Sequence, residues 1–150
     1  MREVTFQLES WPTKDPFHIT GHTFIEARVL VVTLTENGVS GRGEASGVYY
    51  LSESVESMLA QAEMIKSQLK QGVGREKLQL LLPAGGARNA IDCALWDLDA
   101  KLSGKTIWQL TGIEAKQTWT VNTLGIEAPD VMASRAKKLD TPKIKVKLSA

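Results

Sequence analysis

Lysines alternate with branched apolar residues near the end of the sequence, over residues 143–148, which read Lys-Ile-Lys-Val-Lys-Leu. Successive side chains of a strand point to opposite faces, so a strand here places three ammonium groups on one face. Such a pattern is typical of a half-buried strand with a solvated face, or of an edge strand protected by lysines. Lysines two residues apart also permit acid–base chemistry, because a neighbouring ammonium favours the neutral amine that acts as a base.

The other residues with chemical potential give weaker signals. His18 and His22 lie in a polar segment, residues 13–23, that contains Pro16 and Gly21 and that we predict to be a surface loop. No third ligand is spaced with the histidines, so we interpret them as polar loop residues rather than metal ligands. Cys93 is the sole cysteine and lies in an apolar helical pattern, which favours a small core residue over a nucleophile.

Composition limits the classes of partner. The 150 residues suffice for a domain with a sizeable core, and the formal net charge is +1. This balance does not indicate a nucleic-acid or membrane-surface partner. No window approaches the apolar length of a membrane span, and the N-terminus has no signal-peptide hydrophobic run. One cysteine excludes an internal disulfide, which fits a reducing cytosol, so we expect a cytoplasmic protein without membrane or nucleic-acid partners.

The first 45 residues predict a three-stranded antiparallel meander. Alternation or apolar runs mark its strands, which we place at Val4–Leu8, Phe24–Thr35 and Val39–Glu44. Asn37-Gly38 is a strong hairpin signal, because both residues tolerate positive φ. Gly41 and Gly43 interrupt the third strand and indicate a bulge or a close approach of another backbone.

Helices are predicted from residue 52 onward. Ser52 is the predicted N-cap of the first, with Glu53 and Glu56 in its first turn, where the helix dipole favours anions. Its apolar stripe comprises Val55, Met58, Leu59, Ala62, Ile65 and Leu69. A short helix over 78–82 stops at Pro83, and loop residues Gly47–Tyr50 precede the whole region.

The densest helical pattern spans residues 87–102. Its broad apolar face carries Ala90, Ile91, Ala94, Leu95, Leu98 and Leu102. Gly104 stands where a glycine commonly ends a helix, and a further helical turn over 107–110 closes at Gly112.

The remaining residues predict a β-α-β unit. A strand over 119–126 is followed by a helix that starts at Pro129, a favourable first helical residue, and by a strand that starts at Lys143. Such a unit normally forms a parallel pair with a right-handed crossover. One unit alone leaves apolar strand surface uncovered, so we expect it to open a larger α/β domain that this chain does not complete.

The motif over residues 87–101, continued by Gly104, Ile107, Trp108, Leu110 and Gly112, resembles the signature of the mandelate racemase/muconate lactonizing branch of the enolase superfamily. It departs from that signature at Thr106 and Thr111. The resemblance implies an α+β fold in which residues 1–115 form an enolase-like N-terminal capping domain, a three-stranded antiparallel meander plus helices. Residues 116–150 would then be the first β-α-β of a (β/α) barrel, truncated before completion.

Within this branch the sequence is most similar to dipeptide epimerases of the L-Ala-D/L-Glu epimerase type. The similar stretches are Glu9–Pro12, Pro16-Phe17, Gly41–Glu44, Glu53–Ser57 and Lys145–Lys147. Lys145 and Lys147 match the lysine pair of the second barrel strand, because an apolar and then a small residue follow them. A register in which Lys143 and Lys145 form the pair, with Lys145 as the base, remains open.

The resemblance implies the site and its chemistry. Lys147 would remove the proton beside a carboxylate, Lys145 would stabilise the resulting enolate, and Thr123 would contact the dipeptide. Family members bind Mg²⁺ through three acidic residues on later barrel strands, so its ligands are expected beyond residue 150. The loops at 17–23 and 47–50 would close over a small-molecule dipeptide substrate. The chain alone is expected to be inactive, and the complete enzyme is expected to be a homo-oligomer.

Other functions remain open at this stage. The chain could come from another member of the branch, such as a cycloisomerase, an o-succinylbenzoate synthase or an N-acylamino acid racemase, which also use the lysine pair. It could also be a non-catalytic α+β interaction module whose lysine strand is a solvated edge.

Overall fold

The computed structural model describes residues 1–148, which form two compact units. The first unit contains residues 1–10 and 28–115, and the second contains residues 11–27 together with the residues from 116 onward. The end of the first hairpin therefore belongs to the second unit. Among the described residues, no helix has the length and apolar character needed to cross a membrane.

Three strands form an antiparallel meander in the order β1-β2-β3, as predicted. Their bounds are Glu3–Ile19 for β1, His22–Glu36 for β2 and Val39–Ala45 for β3. The turn between β2 and β3 has φ of 52° at Asn37 and 76° at Gly38, which is the two-residue hairpin geometry that this dipeptide favours. The pairing runs from Glu36 opposite Val39 to Leu30 opposite Ala45.

The predicted loop at residues 13–23 is wrong. Both strands continue through it and turn only at Thr20-Gly21, where Gly21 has φ of 72°. β1 lies at the edge of its sheet, and an edge strand accepts Pro12 and Pro16 because a proline there need not donate to a neighbouring strand. The polar composition that suggested a loop reflects a long hairpin with exposed side chains.

Three helices follow: α1 (Val55–Met64), α2 (Lys66–Lys70) and α3 (Arg75–Leu81), after a 3-10 turn at Tyr49–Leu51. The prediction that Ser52 caps the first helix is wrong. Ser54 is the N-cap: its hydroxyl accepts from Ser57 N at 3.2 Å, and Ser57 Oγ accepts from Ser54 N at 3.0 Å. Ser52 has a left-handed φ of 58°, whereas an N-cap residue needs extended backbone.

The longest helix, α4 (Gly86–Ser103), lies at the centre of the first unit and packs against β3. The close approach predicted at Gly41 and Gly43 is confirmed, because a Cβ on either glycine would overlap the α4 backbone. The core around this contact contains Leu30, Leu34, Met58, Leu69, Leu78, Ile91, Leu95 and Leu98. Leu102, predicted on the buried face, is 40% exposed because it lies in the last turn of α4.

Helix α4 ends at Gly104 with φ of 64°, and α5 (Ile107–Thr111) follows and ends at Gly112 with φ of 70°. Both glycines adopt the left-handed conformation that terminates helices, as predicted. Thr106, one of the departures from the family motif, caps α5: its hydroxyl accepts from Gln109 N at 3.2 Å. This departure therefore supplies a helix cap.

In the second unit, β4 (Asn122–Leu124), α6 (Pro129–Lys137) and β5 (Ile144–Val146) form the predicted β-α-β unit. The two strands are parallel, and Pro129 is the first residue of the helix. The first strand is shorter than the predicted 119–126, because it pairs with only three residues of β5. Leu124 is buried, and α6 packs against β4.

Candidate active site

The parallel strand pair brings the predicted site residues together. Thr123 on β4 lies in register with Lys145 on β5, and Lys147 N donates to Leu124 O at 3.0 Å. Residues in register on neighbouring strands share a face, and positions two apart share it too. Thr123, Lys145 and Lys147 therefore lie on one face of the pair, opposite Leu124 and Val146.

Exposure differs along this face. Thr123 and Lys145 are exposed, whereas Lys147, one residue beyond the end of β5, is half-buried. Lys143, at the other end of the strand, places its ammonium 5.5 Å from the centroid of the Trp119 ring, within reach of a cation–π interaction. The three lysines thus have different surroundings, and Lys143 has an aromatic neighbour at the end of the strand remote from Lys147.

The hairpin end lies beside the end of β4. Ile126 N donates to His18 O at 2.9 Å, so the outer edge of β1 is bonded to the segment that follows β4. A cavity of about 210 Å³ lies between them. Its lining residues include Thr123, Gly125, Phe17, His18, Glu127 and Arg135. Of these, Thr123 is a predicted site residue, and the hairpin supplies the facing wall.

The hairpin side chains contact one another. His18 Nδ1 lies 2.9 Å from Thr23 Oγ1. The His22 and Phe24 rings meet edge to face at 4.4 Å between centroids, and Phe17 lies 6.3 Å from Phe24. Both histidines thus have partners within the hairpin. Sequence reasoning named residues 17–23 as a region near the substrate, but it missed Gly125, Glu127 and Arg135, since a glycine or a charged residue in a connection is an ordinary occurrence.

The second predicted loop, residues 47–50, belongs to the first unit and is held by Glu53. One carboxylate oxygen of Glu53 accepts from Val48 N at 3.2 Å, and the other accepts from Gly86 N at 2.7 Å. The carboxylate therefore lies at the N-terminus of α4, where the helix dipole stabilises an anion. The sequence placed Glu53 in the first turn of α1, but it precedes that helix and binds another one.

The described residues were also compared with the requirements of a metal site. Within residues 1–148, no group of three or more His, Cys, Asp or Glu side chains is arranged to hold a metal ion. The family resemblance implies magnesium ligands beyond residue 150, so no step of the chemistry is assigned to a metal held by the described residues.

Comparison with known proteins decides the family. Residues 1–112 match the model of the mandelate racemase/muconate lactonizing enzyme N-terminal domain. The chain belongs to this family. Its three-stranded sheet followed by helices is the enolase-type capping fold, and the β4–β5 pair corresponds to the start of the barrel.

Two of the relatives found are epimerases of alanine-containing dipeptides. The chain is 44% identical over 140 residues to L-Ala-D/L-Glu epimerase from Escherichia coli. This match covers 93% of this chain and 44% of the relative. It is 33% identical over 153 residues to L-Ala-D/L-amino acid epimerase from Maribacter, covering 97% of this chain and 45% of that protein. The chain thus spans somewhat less than half the length of these curated relatives.

Solved structures of dipeptide epimerases and of a homologous enolase family member share the fold of this chain. An enolase family member from Agrobacterium tumefaciens with homology to dipeptide epimerases, crystallised with sodium and L-Ala-L-Glu, superposes with a TM-score of 0.93 at 33% identity. That match covers 99% of this chain and 46% of the other. A dipeptide epimerase from Enterococcus faecalis, complexed with Mg and L-Leu-L-Tyr, gives a TM-score of 0.85 at 28% identity, over 98% of this chain and 45% of that structure.

Proposed function

We propose that this chain forms the cap and the first two barrel strands of a Mg-dependent dipeptide epimerase that inverts the α-carbon of a dipeptide such as L-Ala-D/L-Glu. The observation that supports the proposal most directly is the in-register placement of Thr123 beside Lys145, with Lys147 on the same face. Three polar groups at the ends of adjacent parallel strands match the location of active sites in (β/α) barrels. The relatives named as dipeptide epimerases point to the same reaction.

The two lysines divide the work of proton transfer. Lys147, as a neutral amine, takes the proton from the α-carbon and becomes an ammonium, while the C–H electron pair moves into the adjacent carboxylate as an enolate. The fixed positive charge of Lys145 stabilises that developing negative charge. A second acid–base group on the opposite face, which the family resemblance implies beyond residue 150, donates a proton to the carbon as the enolate collapses and so completes the inversion. Mg²⁺, present in the Enterococcus relative, would supply further charge stabilisation when bound.

Thr123 binds rather than reacts. Its hydroxyl can donate and accept hydrogen bonds, and it lines the cavity beside the hairpin end. Thr123 and Lys145 are in register on β4 and β5, so their side chains leave the same face of the strand pair, which supports a shared role in binding the substrate. A dipeptide bound by both groups would present its α-carbon toward Lys147, further along the same face.

The test is deuterium incorporation at the α-carbon, followed by proton NMR. The chain, joined to the C-terminal part of the 44%-identical Escherichia coli relative, is incubated with L-Ala-L-Glu or L-Ala-D-Glu and Mg²⁺ in D₂O. We expect exchange and epimerisation, and we expect Lys147→Ala to slow them by about 10²–10⁴-fold, the usual contribution of a general base. Lys143→Ala is the matched control on the same strand and should change the rate by less than about twofold.

The same series separates the two registers of the lysine pair. A large loss in Lys143→Ala with little effect in Lys147→Ala would assign the base to Lys145 instead. The proposed function would be contradicted if the fused protein without substitutions is folded, as judged by circular dichroism, but exchanges the α-proton of neither dipeptide.

We also propose that the enzyme is cytoplasmic, that its partner is a small-molecule dipeptide rather than nucleic acid or a membrane, and that it is a homo-oligomer. The single cysteine supports a reducing compartment, because it leaves no internal disulfide to form. The near-neutral net charge supports the absence of a polyanionic partner.

A further inference from the structure

Glu53 closes a short loop of the first unit, residues 48–53. Its two end residues bond to each other twice: Glu53 N donates to Val48 O at 3.2 Å, and Val48 N donates to Glu53 Oε2 at 3.2 Å. Gly47 permits this contact, because a Cβ on it would overlap Glu53 O. We call Val48 and Glu53 the base of the loop and residues 49–52 its tip.

The other carboxylate oxygen of Glu53 binds the longest helix. Oε1 accepts from the N–H of Gly86, the first residue of α4, at 2.7 Å. The N-cap residue of α4 is Gly85, which has no side chain to bond the free N–H groups of the first turn. Glu53, 33 residues before Gly86, supplies the acceptor instead. A negatively charged acceptor at a helix N-terminus forms a strong hydrogen bond, so the base of the loop is bound to the start of α4.

The tip of the loop has different surroundings. Two of its backbone hydrogen bonds stay within the loop, from Leu51 N to Val48 O at 2.9 Å and from Ser52 N to Tyr49 O at 3.1 Å. Tyr50 is 73% and Leu51 71% exposed, and the 3-10 turn of the tip contains no buried residue. Segments with few buried contacts open at a low free energy, whereas segments bonded to the core do not. The loop thus combines a bound base with an exposed tip.

We propose that Glu53 is a positioning residue that anchors the base of this loop to α4 and leaves the tip able to move about that base. The proposal rests on the proposed epimerase function only in its kinetic consequence, because the hydrogen bonds lie within the first unit. The family resemblance implies that residues 47–50 close over the substrate, and Glu53 supplies the fixed point for such a movement. Without the anchor, more backbone freedom is lost when the loop closes, so closing costs more free energy.

The first measurement is the hydrogen exchange of the Val48 and Gly86 amides, recorded by NMR on the 150-residue chain. Glu53→Ala removes both acceptors, so both exchange rates should rise by about tenfold or more. Glu53→Gln keeps the shape of the side chain but has one carbonyl oxygen and one NH₂ donor, so it can bond only one of the two N–H groups. We expect one amide to lose its protection by a similar factor and the other to keep most of it.

Glu56→Gln, in the first turn of α1, is the matched control. The Glu56 carboxylate accepts from Arg28 Nη2 at 2.6 Å, so its loss should leave the Val48 and Gly86 rates within about twofold of wild type. The amide of Leu95, within α4, reports global unfolding. Wild-type protection of both loop-base amides in Glu53→Ala would overturn the anchor. If Leu95 also exchanges faster in that variant, Glu53→Gln decides, and wild-type protection of both amides in it would overturn the anchor as well.

The second measurement compares the base with the tip by ¹⁵N relaxation. We expect backbone order parameters of about 0.85 at Val48 and Glu53, and of about 0.6 or less at Tyr50 and Leu51. In Glu53→Ala the values at the base should fall toward those of the tip, whereas Glu56→Gln should leave them unchanged. Order parameters as high at the tip as at the base would overturn the proposed movement of the tip.

The third measurement connects the anchor to catalysis through the deuterium-incorporation assay on the fused protein. Because an unanchored loop costs more to order, Glu53→Gln should raise KM for the dipeptide several-fold with a smaller change in kcat, and Glu56→Gln should change neither. An unchanged KM in Glu53→Gln would overturn the kinetic consequence. Absence of turnover in the fused protein without substitutions would contradict the proposed function, and amide exchange and order parameters would then decide the anchor by themselves.

Discussion

Asp97 joins the third strand to the longest helix of the first unit. Its Oδ2 accepts from Arg42 N at 2.8 Å and from Lys101 Nζ at 2.7 Å, one turn further along α4. Burial raises the pKa of Asp97, but the hydrogen bonds from Lys101 and from the Arg42 backbone outweigh it, so this pKa lies below its ordinary value of 3.8. The anionic form is therefore the one that the fold stabilises.

A lowered pKa makes this stabilisation dependent on pH. It is fully present above 3.8 and is lost as the pH falls through the lower pKa of the folded state. Asp97→Asn should therefore lower the free energy of unfolding by about 1 kcal/mol at pH 7, a modest value because the partly exposed pair is screened by solvent. The difference from wild type should shrink as the pH falls below 3.8 and through the lower folded-state pKa, where the folded wild-type carboxylate becomes protonated.

Urea unfolding at pH 7 and pH 3 measures this difference. Asp92→Asn, the same carboxylate-to-amide change on the same helix, is the control and should lower the free energy of unfolding at pH 7 by less than Asp97→Asn does. An Asp97→Asn variant equally destabilised at both pH values would show that packing, rather than charge, explains the effect.

At the scale of elements, the contact between β3 and α4 determines which residues the strand can carry. A Cβ on Gly43 would overlap Ala90 O and lie 2.5 Å from Ala94 N, and a Cβ on Gly41 would overlap the next turn of the helix. The atoms that would be overlapped are helix backbone, so relief would require the whole helix to shift away from the strand. Two glycines separated by one residue therefore let the helix lie directly on the strand.

Gly43→Ala should destabilise the first unit by about 3 kcal/mol, because overpacking forces the helix and the strand apart. The measurement is the midpoint of urea unfolding followed by circular dichroism. Gly74→Ala adds the same methyl group in open space and should cost less than about 1 kcal/mol. Equal stability of the two variants would mean that the α4–β3 contact is looser than its geometry indicates.

At the scale of the whole molecule, apolar side chains on the strands of the second unit are exposed to solvent, which is unusual for barrel strands. On β5 and just after it, Ile144 is 38%, Val146 50% and Leu148 75% exposed. Trp119 and Val121, which precede β4, are exposed as well, and Trp119 lies beside Lys143. Parallel strands are normally covered on both faces, and exposed apolar side chains such as those of β5 favour association.

We therefore expect the 150-residue chain to self-associate in a concentration-dependent manner, as measured by sedimentation velocity. The double variant Val146→Thr/Leu148→Gln should weaken association by about tenfold or more, because it removes apolar area that association buries. Leu80→Gln changes an 87%-exposed leucine on α3 of the first unit and should have little effect. A chain that stays monomeric at all concentrations would contradict this expectation.

The sequence alone determined the features that depend on near neighbours. Alternation predicted the opposite faces of the lysine strand, and Asn37-Gly38 predicted the turn between β2 and β3, since both follow from local backbone preferences. The motif over 87–112 identified the family because its residues lie in one continuous segment. Local patterns failed where the surrounding structure overrides them. Residues 13–23, with Pro16, were predicted to be a loop, but the edge strand β1 accepts its prolines.

Only the tertiary structure decided which distant residues meet. The register of Thr123 with Lys145, the hydrogen bond from Ile126 to His18 and the close approach of Gly125 to His18 join segments far apart in the chain. A one-residue shift in register would reverse the faces of a strand, and periodicity cannot choose between such shifts across a helical connection. Lys145 and Lys147 were therefore recognisable as candidates from sequence. The contact between the hairpin end and the segment after β4 could be seen only in the tertiary structure.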